Sequence, residues 1–129
     1  MKAILNKFSV DGYRGPDHWH RYPTDFCVIV DMYIASKKMD GGDIFTLEVC
    51  SPKWFENNVL RPPVVDPTHD QQHNAVFGRH ILFIEEFDFE EIKSAVTEIT
   101  AKAKGEDWNE VALYLSRYFF WEYEDWVTT

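Results

Sequence analysis

The chain has 129 residues, 45% of them hydrophobic and 16% aromatic, with a formal net charge of −9. This length predicts one domain over residues 1–129, and the aromatic content excludes a largely disordered chain. The negative charge argues against nucleic acid and membrane partners. No apolar run approaches the roughly 20 residues of a membrane span, and the N-terminus does not have the pattern of a signal peptide, so we expect a cytoplasmic protein.

Four stretches have the pattern of β-strands, beginning with residues 2–10. Residues 26–34 and 45–50 alternate strongly apolar positions with other side chains, and the Asp-Gly-Gly between them indicates a hairpin. Residues 79–86 form a short apolar run rich in β-formers. These runs predict a sheet of four to five strands.

Capping residues mark three helix starts. Ser51 before Pro52 predicts a short helix after the third strand. Asp88 and Asp107, each followed three residues later by Glu, predict the starts of two longer helices, the last running to about Phe119. Strands followed by helices predict the α+β class, an antiparallel sheet with two C-terminal helices packed on one face.

The segment 118–126, YFFWEYEDW, combines six aromatic residues with three carboxylates. From Phe120 onward, a helix would scatter the acids among the rings, whereas a strand separates the two kinds of side chain. We therefore expect a short extended segment with Trp121 and Tyr123 facing the domain. Glu122 and Glu124 would then face solvent.

The sequence patterns of catalytic and metal sites are missing from the chain. The histidines of the two long loops, residues 11–25 and 60–78, lack zinc-ligand spacing, and no Gly-rich phosphate loop occurs. Cys27 and Cys50 lie on neighbouring predicted strands, where a structural role is expected. We expect a non-enzyme with no catalytic residue, no metal and no cofactor.

The negative charge is concentrated near the C-terminus. Residues 85–125 contain twelve acidic and four basic side chains, a net charge of −8. Helix N-termini favour two or three of these acids, and the excess predicts a surface for a basic protein partner. The candidate binding residues are Glu85, Glu86, Glu90, Glu91, Glu122, Glu124 and Asp125.

Three segments also carry a family resemblance: VCSPKWFENN, FGRHILFIEEFDFEEIKSAV and DWNEVALYLSRYFFWEYED. In this order they resemble the immunity protein 8 family of bacterial polymorphic-toxin and contact-dependent growth inhibition systems. The resemblance covers about residues 50–126 apart from the second long loop. It implies a small cytosolic α+β protein, encoded beside a toxin, that binds the toxin's C-terminal domain and blocks it. No catalytic residue is implied.

The partner expected from the resemblance and the charge is a toxin domain with a basic surface, for which a nuclease is a suitable class. The loop 60–78 lies outside the resembling segments and is expected to make pair-specific contacts. Two alternatives stay open. One is another kind of binding module or a homodimeric assembly module, and the other is a small metal-dependent hydrolase using His69, His73 or the carboxylates.

Overall fold

The computed structural model describes residues 1–15, 22–37, 42–65, 68 and 72–124. The fold is α+β, as predicted, and the described residues form five strands and three α-helices. The short helix α1 continues as a π-helical turn, Glu56–Leu60. The elements are β1 (Ile4–Val10), β2 (Cys27–Ala35), β3 (Asp43–Cys50), α1 (Pro52–Phe55), β4 (Ile81–Phe83), α2 (Phe89–Lys102), α3 (Trp108–Leu115) and β5 (Phe120–Trp121).

The sheet is built around β3. Strands β1, β2 and β3 form an antiparallel meander, and β4 and β5 share the other edge of β3. β5 runs antiparallel to β3, with Trp121 opposite Phe45. β4 instead runs parallel to β3, with Phe83 opposite Cys50. A parallel neighbour needs a long crossover, which here is the connection through α1 and the loop that follows it.

The core lies between one face of the sheet and helices α2 and α3. Alternate residues of β2 and β3 point toward the helices, as the period-two pattern predicted. Each such side chain contributes about 1.5–3 kcal/mol through burial. Fully buried side chains of the two layers include Val30, Met32, Ile34, Phe45, Val49, Ile92, Val96, Val111 and Leu115.

All three predicted helix starts are confirmed by their caps. The Ser51 hydroxyl accepts a hydrogen bond from the Trp54 N–H at 3.2 Å. Asp88 and Asp107 accept from the backbone N–H groups three residues on, at 3.1 and 2.9 Å. Each bond satisfies one of the N–H groups that have no partner inside the helix.

Helix α3 is shorter than predicted, ending at Leu115 rather than near Phe119. The Ser116 hydroxyl donates to the Leu113 carbonyl at 2.8 Å, and residues 116–118 form a turn. The turn directs Phe119 into the core, where its ring meets that of Phe45 edge-on at 6.4 Å. The chain then enters β5.

Candidate functional site

Four of the candidate acidic residues lie together at the start of α2. Glu85 and Glu86 follow β4, Glu90 and Glu91 belong to the first turn of α2, and all four are exposed. We refer to these four residues as the α2 acidic cluster. The helix N-terminus favours negative charge, although this effect is confined to the first turn.

Two aromatic residues within the same segment hold the α2 acidic cluster in place. Phe87 packs edge-on against Phe26 at 5.4 Å, and its N–H donates to the Pro23 carbonyl at 2.8 Å. Phe89 stacks on Tyr13 at 4.4 Å between ring centroids. Aromatics therefore pack inward while the neighbouring carboxylates point to solvent.

A groove borders the α2 acidic cluster. It has a volume of about 430 Å³, and Glu85 lines it together with Pro52, Lys53 and Glu56 of the α1 region. Two carboxylates against one ammonium give this groove a negative balance. It is suited to a basic side chain of a partner.

Glu122 lies at the other end of β3. Its Oε2 accepts a hydrogen bond from the Ile44 N–H at 2.6 Å, and its own N–H donates to the Ile44 carbonyl at 3.1 Å. A side-chain hydrogen bond to Glu122 also raises the pKa of Tyr123. Glu122 is exposed, as predicted, but one carboxylate oxygen is already bound to the sheet edge.

The predicted orientation of the next two residues is wrong. Tyr123 is exposed, whereas the Glu124 side chain is only 8% exposed. Residues 122–124 form a turn, in which the Glu124 N–H donates to the Trp121 carbonyl at 2.8 Å, so the alternation of a strand stops. Trp121, half-buried against the core, does face inward as predicted.

The Glu124 carboxylate is directed at the two residues that precede β4 rather than at solvent. Its Oε2 lies 2.9 Å from Arg79 Nη2, and its Oε1 lies 3.2 Å from His80 Nε2. The same His80 nitrogen lies 2.7 Å from the Ser116 carbonyl, so this imidazole links the residue before β4 to the residue after α3. A toxin-binding role for Glu124 stays a prediction, while its contacts here are structural. Asp125 lies outside the described residues.

The candidate acids that the structure describes are not brought into one compact patch. The residue before Glu85, Ile84, donates its N–H to the Cys50 carbonyl, at the C-terminal end of β3. Glu122 is bonded to Ile44, six residues earlier on the same strand. At about 3.3 Å per residue, the two acidic regions are roughly 20 Å apart.

The sheet surface facing away from α2 and α3 lies between these two acidic regions. Its exposed positions alternate with the core positions of β2 and β3. Several are apolar, which the alternating sequence pattern does not indicate, because that pattern identifies only the more strongly apolar core face. We refer to this surface as the outer face, defined by Ile29, Asp31, Tyr33, Ile44, Thr46 and Phe120.

The two cysteines lie on neighbouring strands at one end of the sheet, where they are partly or fully buried. Cys27 lies opposite Cys50, and its thiol contacts Glu48 Oε1 at 3.1 Å. Burial, followed by the Glu48 carboxylate, raises the pKa of the Cys50 thiol to about 11. Burial and the hydrogen bond to Glu48 also raise the pKa of Cys27. Both thiols are therefore protonated near neutral pH and poorly nucleophilic.

The histidines considered as metal ligands are only partly covered by the structure. His18, His20 and His69 lie outside the described residues. Among the residues that are described, no group of three or more His, Cys, Asp or Glu side chains is placed to hold a metal ion. His80 is engaged with Ser116 and Glu124.

The loop predicted to make pair-specific contacts exposes apolar side chains. Its base is closed by a bond from the His73 N–H to the Leu60 carbonyl at 2.8 Å. Val65 is 85% exposed, and Phe77 is fully exposed. An exposed aromatic side chain of this kind is a suitable anchor for a protein interface.

The class defined by these features is a small α+β protein with two helices packed on one face of a five-stranded sheet. The chain belongs to the immunity protein 8 family, whose profile matches residues 3–126. No curated protein and no solved structure matches the chain. In the described part of the chain, no helix is both long and apolar enough to cross a membrane.

Proposed function

We propose that this protein binds the C-terminal domain of a cognate bacterial toxin and neutralises it by occlusion, without catalysing a reaction. The observation that carries the proposal is the match to the immunity protein 8 family over nearly the whole chain. In a contact-dependent growth inhibition system, a cytoplasmic immunity protein would meet the toxin domain once that domain has been delivered into the cell or synthesised there. The toxin gene would be the adjacent reading frame.

The distribution of charge supports a toxin with a basic surface. The chain carries a net charge of −9, and the α2 acidic cluster is exposed beside a negatively balanced groove. Opposite charges raise association rates above the neutral range of about 10⁵–10⁶ M⁻¹s⁻¹. A nuclease with a basic cleft is the toxin class that this surface suits best.

Both acidic regions are within reach of one partner. An interface of standard size buries about 800 Å² on each protein, which is wide enough to include sites roughly 20 Å apart. Glu85, Glu86, Glu90 and Glu91 would contact the toxin at one end. Glu122 would contact it at the other, through the carboxylate oxygen that is not bound to Ile44.

Co-expression tests the function directly. The toxin domain of the adjacent reading frame is expressed in a sensitive host with and without this protein, and growth is measured. We expect growth arrest by the toxin alone and rescue by co-expression. Growth arrest that persists despite soluble, folded protein would contradict the proposed function.

Charge reversal tests the role of the α2 acidic cluster. Glu86→Lys/Glu90→Lys should lower toxin affinity roughly tenfold or more, mainly through slower association at low salt. The control, Glu98→Lys/Glu106→Lys, changes the net charge equally at exposed positions outside the cluster. Equal effects of the two pairs would mean that only total charge matters and would remove the cluster from the interface.

A further inference from the structure

The outer face of the sheet carries more apolar side chains than is usual for a sheet surface that faces solvent. When helices cover one face of an antiparallel sheet, the other face normally carries polar side chains. Here Ile29, Tyr33, Ile44 and Phe120 occupy such positions, with 39%, 41%, 38% and 49% of their surfaces exposed. The core does not account for these residues, because the opposite face of the same strands supplies it.

The strand register makes these side chains neighbours. Tyr33 lies opposite Ile44 on the adjacent strand, and Phe120 lies opposite Thr46. Asp31 lies opposite Thr46, and Ile29 lies two residues before Asp31 on β2. Directly opposed residues have Cβ atoms about 4.5–5.5 Å apart, and diagonal neighbours remain within reach of aromatic side chains. Tyr33, Ile44 and Phe120 therefore form one apolar group, and Ile29 extends the same face beyond Asp31 and Thr46.

The charges around this surface are mainly negative. Asp31 lies within it and accepts a hydrogen bond from Thr46 at 3.4 Å, Glu48 lies opposite Ile29, and Glu122 is bound at the edge beside Ile44. Lys7 supplies a positive charge here, since its ammonium lies 5.6 Å from the Tyr33 ring centroid. An apolar centre with charged groups at its margin is the usual anatomy of a protein interface.

We propose that the outer face is the central docking surface for the toxin, and that it receives an apolar patch ringed by Lys and Arg side chains. This inference rests on the proposed function. The two acidic regions at the ends of β3 would then form the rim of the interface, while the half-exposed apolar side chains provide most of the affinity.

A second copy of this chain is a poorer match for the same surface. Two identical outer faces placed together would each bring the carboxylates of Asp31, Glu48 and Glu122 beside the ammonium of Lys7, in a protein of net charge −9. Like charges opposed across an interface disfavour association. A basic partner removes this repulsion, which is why the surface is assigned to the toxin.

The first test truncates the apolar centre. Ile29→Thr/Tyr33→Thr keeps residues suited to a strand, and Leu113→Ala is the control because Leu113 is 52% exposed on α3, in the other layer. Binding is measured to the toxin domain of the adjacent reading frame, after circular dichroism and urea unfolding confirm the fold. We expect affinity to fall roughly 30-fold or more for the double variant and less than about threefold for the control.

A second variant adds a charged side chain to the outer face instead of removing apolar ones. Thr46→Arg introduces a positive charge at the centre of the outer face, and Thr97→Arg makes the same change on the exposed side of α2. We expect only Thr46→Arg to weaken binding, by about tenfold or more, because a basic toxin would be repelled. If the Ile29→Thr/Tyr33→Thr protein does not fold, Thr46→Arg still tests whether the toxin binds the outer face.

The possible results separate the inference from the proposed function. Unchanged affinity in folded outer-face variants, with weakened binding in the α2 cluster variant, would overturn the inference and leave the function intact. Loss of a concentration-dependent dimer without loss of toxin affinity would assign the face to self-association and also overturn it. Failure of the wild-type protein to bind the toxin domain would overturn both.

Discussion

At the scale of single residues, Asp43 fastens the C-terminal part of the chain to the sheet. Its Oδ2 accepts hydrogen bonds from the indole N–H groups of Trp108 and Trp121, at 2.7 and 2.9 Å. One carboxylate at the start of β3 thus holds both the first residue of α3 and the last residue of β5.

Replacing Asp43 tests this role. Asp43→Ala leaves two half-buried indole donors without their acceptor and should lower the free energy of unfolding by about 2 kcal/mol. The measurement is urea unfolding followed by tryptophan fluorescence. Asp31→Ala is the control, because Asp31 is exposed and makes only a 3.4 Å bond, and its cost should stay below about 0.5 kcal/mol. Equal costs would show that the two indole bonds do not hold the tail.

The buried thiol of Cys50 gives a second prediction at this scale. Its pKa rises from 9.0 to about 11, with burial the larger cause and the Glu48 carboxylate the smaller. Between these values the unfolded chain releases the proton and the folded chain keeps it, so stability should fall as pH rises through this window.

Urea unfolding at pH 9 and pH 11 measures the effect. Cys50→Ala should show a shallower loss of stability over the same range, even though its absolute stability is lower because of the cavity. An identical pH dependence in the variant and the wild type would contradict the assigned burial of the thiol in the native state.

At the scale of elements, the start of α2 depends on Asp88. Its carboxylate accepts the Glu91 N–H, and the flanking Phe87 and Phe89 fix the segment to the core. Asp88→Ala should lower the free energy of unfolding by about 1 kcal/mol through loss of the cap. Glu98→Ala, which removes an exposed pair with Lys102, should cost no more than about 0.5 kcal/mol. Equal losses would show that the cap is not a special contact.

The local chemistry of the sequence accounts for most elements. Period-two alternation predicts β2 and β3, and three capping residues predict the helix starts, because these signals lie within a few residues of one another. β4 is only Ile81–Phe83, shorter than the predicted 79–86. His80 has φ 57°, a left-handed conformation that is rare for a non-glycine residue and that no local pattern indicates.

The candidate site is predicted less well than the secondary structure, because part of it depends on contacts between residues that are distant in sequence. The exposure of Glu85, Glu86, Glu90 and Glu91 follows from local alternation with buried aromatics. The position of Glu124 depends on Arg79 and His80, more than forty residues earlier, and therefore on tertiary structure. The apolar outer face likewise becomes visible only when the strand register is known.

At the scale of the whole molecule, the distribution of charge bears on how the proposed complex would form. The chain has a net charge of −9, acidic regions at both ends of β3 and an apolar sheet surface between them. Such a molecule should associate with a basic toxin rapidly at low salt and more slowly as salt screens the charges. The apolar centre would then determine how slowly the complex dissociates.

Titration of the purified toxin domain with this protein tests whether the two proteins form the proposed complex. Calorimetry gives the stoichiometry and affinity, and stopped-flow fluorescence gives the association rate at low and high salt. We expect a tight one-to-one complex whose association rate falls at least about tenfold with added salt. Absence of a complex at micromolar concentrations, with both proteins folded and the toxin active, would contradict this expectation.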